Sequence, residues 1–370
     1  MCNIAGYVGE QRAAPILIEM LRRQEGFDGG VCTGIVTLHE GRLYYRKVVG
    51  GVDALLKATD AMSLPGTVGI AHSRPGGDPE TYQFAHPFIT YDERMAAVTN
   101  GTARGSDPAL GQKFTDMLEA QGYKFRGEAY LYYQTSTFPK LKGGAHISVA
   151  ETRLNAMHYY HKKCGMPLPA AMSRVDSEMY KDGVIALLSA DEPDRISVLR
   201  TTRPAVTMKT KDGTYLATTR FAFPDEADGE VQALPVLYPC QIFRDKTEIH
   251  TADKMTSEEV AEPSAYTFEE GYRRIAALLI GKRDDPLHFD DLELAVWRNM
   301  RDLFDGNHTL IQDARLVYDV LWRLHSEGRL CMKPILTQIN GKQLSPDDPM
   351  YNDARNTPGA KARLFFWIEE

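Results

Sequence analysis

Along the first part of the chain, the spacing of apolar positions switches between that of strands and that of helices. Residues 3–9 are a short apolar run closed by Gly9, which predicts a buried strand. From Pro15 to Arg23, the apolar residues Ile16, Leu17, Met20 and Leu21 share one helical face. Gly26-Phe27-Asp28-Gly29-Gly30 predicts a turn. Thr33–Leu38 and Leu43–Val49, joined across Glu40-Gly41, predict a β-hairpin. A short helix (Val52–Thr59) and a strand (Thr67–Ala71) follow. Arg94–Thr99 is a strand ending on Asn100-Gly101, and Phe114–Gln121 is a helix.

Farther on, Gly183–Ser189, Ile196–Thr201, Ala205–Lys209 and Thr214–Thr219 read as strands, with Asp212-Gly213 a strong hairpin signal. Many antiparallel strands with a few helices give an α+β class. The missing βαβ alternation excludes a doubly wound parallel sheet. Residues 126–172 lengthen the middle of the chain and read as an inserted helix or helical pair. They carry Tyr130, Tyr132, Tyr133, Tyr159 and Tyr160 with His146, His158 and His161. His158 and His161 lie one helical turn apart without a third ligand nearby, so packing or a dimer surface is favoured over a metal site.

From about Thr256 the chain is mostly helical. Phe268–Ile280, Asp290–Phe304 and Ile311–His325 each carry an apolar stripe, and two extended runs follow, Met332–Ile339 and Arg363–Ile368. A helix leading into a hairpin has the outline of a winged helix. Asp313, Asp319 and Glu327 are interleaved there with Arg315, Arg323 and Arg329, which favours protein contact over DNA. The expected organisation is a domain over residues 2–253, with the insertion at about 126–172, and a helical or winged-helix-like domain over 256–370.

Composition narrows the class. The chain has 370 residues, 43% hydrophobic and 25% charged, close to globular averages. A net charge of −7 without a long block of one sign argues against nucleic acid or anionic membrane as partner. Five scattered cysteines (Cys2, Cys32, Cys164, Cys240 and Cys331) form neither a disulfide framework nor a zinc signature. No apolar run is long enough to span a membrane, and no leader precedes Cys2, so a cytoplasmic protein is expected. Nothing calls for a cofactor, since no Gly-rich phosphate loop is evident.

Cys2 carries the candidate chemistry. Removal of Met1 would leave a thiol and a free α-amine on one residue. An α-amine titrates at about 7.7–8.0 and a thiol at about 8.5, so the amine can take the thiol's proton near neutrality. Later segments add to this: Val68-Gly69-Ile70-Ala71-His72-Ser73-Arg74, then Phe84-Ala85-His86-Pro87-Phe88, then Ala97-Val98-Thr99-Asn100-Gly101. With the N-terminal Met1-Cys2-Asn3-Ile4-Ala5-Gly6, these resemble the glutaminase domain of class II glutamine amidotransferases, the family of glucosamine-6-phosphate synthase and amidophosphoribosyltransferase. The resemblance covers roughly the first two thirds of the chain.

It implies a four-layer αββα sandwich of two antiparallel sheets, of the N-terminal-nucleophile hydrolase type. It also implies that Cys2 attacks the glutamine side-chain amide. Asn100 and Gly101 match the oxyanion pair, although Asn-Gly is also an ordinary tight turn. Arg74 matches the ligand of the glutamine carboxylate, against the alternative of a surface arginine in a loop. His86, grouped with the substrate-binding positions, and His72 are read as holding the loop through ring hydrogen bonds. Asp176, in Val175-Asp176-Ser177-Glu178, resembles the aspartate that pairs with the substrate ammonium; the alternative is a helix N-cap.

Six positions depart from the family pattern. Pro75 follows the arginine where an aromatic is usual, Gly76-Gly77-Asp78 replace glutamine contacts, Asn3 replaces Gly, and Thr99 replaces His. The partners implied are glutamine, an ammonia-accepting site on another chain, and a second copy of this one. Two alternatives stay open: an N-terminal-nucleophile amidohydrolase for another amide, and a non-catalytic glutamine-binding or scaffold descendant.

Overall fold

The computed structural model describes the chain except residues 76–81, 102–107, 131–137, 180–182, 252–259, 261, 305–309, 339–359 and 370. Tyr132 and Tyr133, Gly76-Gly77-Asp78 and the expected domain boundary near 253–256 lie outside the described residues.

Strand β1 (Asn3–Gly9) is buried on both faces, which is why its sequence is a continuous apolar run. Ile4 and Val8 enter one core, while Ala5 and Tyr7 enter another. Helix α1 (Ala13–Gln24) follows, then β2 (Cys32–His39) and β3 (Arg42–Val49). Their hairpin turns through Glu40 at φ 50° and Gly41 at φ 70°. Two successive left-handed residues match the right-handed twist of the strands they join.

Helix α2 (Val52–Ala58), β4 (Val68–Arg74), β5 (Phe88–Ile89), β6 (Met95–Asn100) and α3 (Pro108–Ala120) come next. They are followed by α4 (Val149–His158), α5 (Leu168–Met179), β7 (Val184–Ser189) and β8 (Glu192–Arg200). Then come β9 (Val206–Lys209), β10 (Gly213–Ala217), β11 (Glu230–Ala233), β12 (Cys240–Ile242) and β13 (Thr247–Ile249).

These strands form a seven-stranded sheet in the order β11-β9-β10-β1-β4-β2-β3 and a six-stranded sheet in the order β13-β12-β8-β7-β6-β5. The pairings within both sheets are antiparallel. Between the sheets, Ile4, Ile70 and Val36 meet Val98, Ala186 and Val198. Leu17 and Leu21 of α1 and Leu55 of α2 cover the outer face of the first sheet. Phe114 of α3, Leu154 of α4 and Val175 of α5 cover that of the second. The result is an α+β four-layer αββα sandwich. The segment expected as an insertion therefore supplies part of the outer helical layer: α4 runs on through a wider turn at Tyr159–Lys163 and leads to α5.

The remainder is α6 (Ala265–Leu279), β14 (Leu287–His288), α7 (Phe289–Asn299), α8 (Asp313–Ser326), β15 (Leu330–Gln338) and β16 (Ala360–Ile368). Helix α6 opens on a reciprocal cap between Ser264 and Thr267. The expected helix Asp290–Phe304 ends at Asn299 and gives way to a tighter turn at Arg301–Leu303. The strands form a three-stranded sheet, β14-β16-β15. Strand β14, only two residues long, is too short to show a period in sequence. Phe27 and Phe221, from the sandwich, are buried in the same cluster as Ile275, Leu321 and Phe366. No helix among the described residues is long and apolar enough to cross a membrane.

Candidate active site

Cys2 stands immediately before β1, at the end of that strand where the two sheets approach each other. The antiparallel register pairs Asn3 with Ser73, which brings Arg74 to the same end. In the other sheet β6 ends on Asn100, and the Cys2 backbone N–H donates to Asn100 Oδ1 at 3.0 Å. With Oδ1 so engaged, the Asn100 amide turns its Nδ2 donor away. That donor lies 3.8 Å from the Met1 sulfur, so the Met1 side chain fills the space beside it. Gly101 follows directly at the strand end.

The histidines behave as braces. His72 Nε2 meets the Thr99 carbonyl at 2.8 Å, and His86 Nε2 meets the Thr99 hydroxyl at 3.0 Å. The rings are 4.0 Å apart between centroids, and both residues are buried. Burial pushes the His72 imidazole down to about 3. Burial, with His72 and Arg74 nearby, holds His86 well below its usual range. Both rings are neutral near pH 7 and fix β4 and the segment before β5 onto β6, one residue from Asn100. Thr99, where the family pattern has His, gives each ring its partner.

Arg74 is half-buried and donates from Nη1 to the Phe84 carbonyl at 3.2 Å. The Cys2 thiol is pushed up by burial, while the N-terminal ammonium and the Arg74 and Arg203 guanidiniums pull it down. Arg74 thus acts on the Cys2 thiol as a nearby positive charge.

Asn3 also departs from the pattern, and the structure gives the reason. Its Nδ2 donates to the Gln24 carbonyl at 2.9 Å and to the Asp28 carbonyl, fastening the turn after α1 against β1. Gly29 in that turn sits at φ +97°, where a Cβ would meet Ser73 Oγ at 2.8 Å. Only glycine combines that left-handed backbone with so close an approach.

No protein-family profile matches the chain. Among curated relatives, the glutamine–fructose-6-phosphate aminotransferase of Thermosynechococcus vestitus is 31% identical over 210 residues, 56% of this chain and 29% of the relative. The protein of the same name from Pseudomonas aeruginosa is 30% identical over 233 residues, 62% of this chain and 33% of the relative. The chain thus spans about a third or less of these relatives' own length. Among solved structures, the glutamine phosphoribosylpyrophosphate amidotransferase of B. subtilis superposes with a TM-score of 0.55 at 15% identity, covering 98% of this chain and 71% of that one. The allosteric regulatory enzyme of purine biosynthesis superposes with a TM-score of 0.54 at 15% identity, covering 75% of this chain and 58% of that one. Over 56–62% of its length the chain is thus similar in sequence to glutamine-dependent aminotransferases, and it shares the fold of glutamine amidotransferases.

Against that family pattern, Asp176 is the residue whose surroundings differ most from expectation. It lies in the last turn of α5, so it is not an N-cap. Arg153 Nε reaches its Oδ1 at 2.6 Å and Nη2 takes Oδ2, with both side chains buried. Burial pushes the carboxyl up and the Arg153 guanidinium opposes it. Both carboxylate oxygens are engaged inside the outer helical layer rather than turned toward Cys2. His158 likewise has partners on both nitrogens, the Tyr123 hydroxyl at 2.8 Å and Asp92 Oδ2 at 2.9 Å.

Asp28, in sequence one residue of the turn Gly26–Gly30, also lies at the N-terminus. The Met1 ammonium is ion-paired with Asp28 Oδ2, and both groups are buried. Burial works against that ammonium, but Asp28, with Asp290 and Glu293 behind it, outweighs the penalty and holds it at about 10. A lone acidic residue between glycines was the available signal.

Proposed function

We propose that the processed chain hydrolyses the side-chain amide of glutamine. With Met1 removed, the Cys2 amine takes the thiol's proton, and the thiolate adds to the amide carbon. The oxyanion is met by Asn100 Nδ2 and the Gly101 N–H. The amine then returns its proton to the leaving ammonia, and water clears the γ-glutamyl thioester. Arg74 receives the substrate carboxylate through a two-pronged, charge-assisted contact. His72 and His86 hold the frame, and Asp176 has no part in this scheme because Arg153 occupies it. The single observation that supports the reading is the 3.0 Å bond from Cys2 N–H to Asn100 Oδ1, which joins the two residues across the ends of two sheets.

The ammonia would pass to an acceptor site on another chain. Residues 2–253 act as the glutaminase domain, and 256–370 as a winged-helix-like docking or dimer unit of a homo-oligomer. Glutamate release by wild type and Cys2→Ala tests the proposal. Loss of at least ~10³-fold is expected for the variant. Equal release by both would refute it.

One observation favours a second reading. The Met1 ammonium has a buried ion-pair partner in Asp28, which is compatible with a chain that keeps Met1 and binds glutamine without turnover. The intact mass of cell-purified protein separates the two.

A further inference from the structure

The turn that Arg74 leans on is held by two other parts of the chain. Arg74 Nη1 donates to the Phe84 carbonyl at 3.2 Å. Phe84 ends the single turn Tyr82–Phe84, which is closed by Ala85 N–H donating to the Tyr82 carbonyl at 3.0 Å. Lys47 of β3 reaches this turn from the first sheet. Its Nζ donates to the Ala85 carbonyl at 3.0 Å and lies 5.0 Å from the centre of the Tyr82 ring and 5.8 Å from that of Phe88. Gly34, opposite Lys47 in the register, carries no side chain to hold the His86 carbonyl off the sheet. The segment leading into α4 supplies the second hold. Phe138 stacks on the Phe84 ring at 5.3 Å, and Ala129 is buried in the same cluster. Gly127 lies against the Gln83 carbonyl, and Glu151 of α4 fixes it by accepting from the Arg126 and Gly127 N–H groups at 2.6 and 2.9 Å. An ammonium is withdrawn from water only against partners that replace it, here a carbonyl and two ring faces. Burial pulls the Lys47 ammonium down, and the Glu151 carboxylate opposes that.

We propose that Lys47 and Phe138 are positioning residues for the substrate carboxylate: they fix the turn at Tyr82–Phe84, whose last carbonyl sets the Arg74 guanidinium, and so select amides that carry an α-carboxylate. The proposal rests on the reading of Arg74 given above. A guanidinium grips a carboxylate with two parallel N–H groups, so the plane of the fork has to be set before the ligand arrives. The Arg74 backbone is placed by its strand, opposite Cys32 of β2. Its side chain has several rotatable bonds beyond that point, and a donor fastened to a fixed carbonyl orients the rest of the fork. Loss of the Lys47 ammonium frees the turn from the first sheet while the strand register stays. Cys2 and Asn100 are tied to each other elsewhere, so the effect falls on the carboxylate end of the ligand.

The test compares glutamine with γ-aminobutyramide, which is glutamine without its carboxylate. Equilibrium binding of each is measured on the full Cys2→Ala chain, where the thiol cannot turn glutamine over, and the ratio of the two Kd values is read as the preference for the carboxylate. Arg74→Ala should collapse that preference. Lys47→Met, which keeps an unbranched apolar stem between the rings, should lower it by ~10-fold, mostly through weaker glutamine binding. Phe138→Leu should lower it in the same direction. Added to Arg74→Ala, Lys47→Met should change the preference no further, because it acts through the guanidinium. A preference undiminished in Lys47→Met but collapsed in Arg74→Ala would overturn the proposal, even if Tm falls, since a merely structural tie weakens both ligands alike. Should Lys47→Met not fold, an undiminished preference in Phe138→Leu overturns it equally. A preference that survives Arg74→Ala would sink the reading of Arg74 itself, and the proposal with it.

Discussion

In the proposed reaction Asn100 has two tasks for one amide. Its oxygen accepts from Cys2 N–H, and in the proposed reaction its nitrogen, which lies beside the Met1 sulfur here, would meet the substrate oxyanion once Met1 is removed. Asn100→Ala removes both, and a fall in kcat of ~10²–10³-fold is expected, with a smaller change in KM. Steady-state glutamate release measures it; a variant changed only in KM would show that the amide serves binding. His72 makes a prediction about stability. Its folded value of about 3 lies below the ordinary 6.5, so it is a base that folding depresses. The stability tied to the neutral ring is complete above about pH 6.5 and is lost as pH falls toward 3. Within that window the folding constant drops by up to ~10-fold per pH unit for this group. Urea midpoints should therefore fall more steeply with acid in wild type than in His72→Gln, and parallel slopes would contradict the assignment. The histidines were legible as braces from their place beside the Arg74 and Asn100 segments. Asp176 was expected from its short acidic run as an ammonium ligand or an N-cap, and nothing local announces Arg153, 23 residues earlier, as its partner.

At the scale of elements, most of the sandwich was readable. Strands such as β1 and β7 are apolar on both faces, and the turns between them carry residues that tolerate a left-handed backbone. What could not be read was the use made of β16. Its contacts with the turn after α1 join residues more than 300 positions apart, and no local pattern encodes such a pairing. Phe366 tests the element's importance. It is fully buried and stacked on Phe27, so Phe366→Ala should cost ~3–5 kcal/mol by leaving a cavity. Glutaminase activity should fall at temperatures where the variant is still folded, because the turn after α1, which Asn3 fastens to β1 beside Cys2, loses its backing. Wild-type kcat/KM in a folded Phe366→Ala protein would separate β16 from the site.

At the scale of the molecule, the shared cluster around Phe27, Phe221 and Phe366 makes the sandwich and the helical remainder one packed unit. The α+β class was legible in a strand-rich order without βαβ alternation, whereas the four-layer arrangement came from the family resemblance and not from periodicity. The catalytic claim depends on the N-terminus, where Met1 presently fills the space beside Asn100 Nδ2. Its most direct test is mass spectrometry with peptide mapping of cell-purified protein, before and after treatment with an electrophilic glutamine analogue. The account predicts a chain lacking Met1 and a single adduct on the sulfur of Cys2. Met1 retained throughout, or an adduct on another residue with Cys2 untouched, would contradict it.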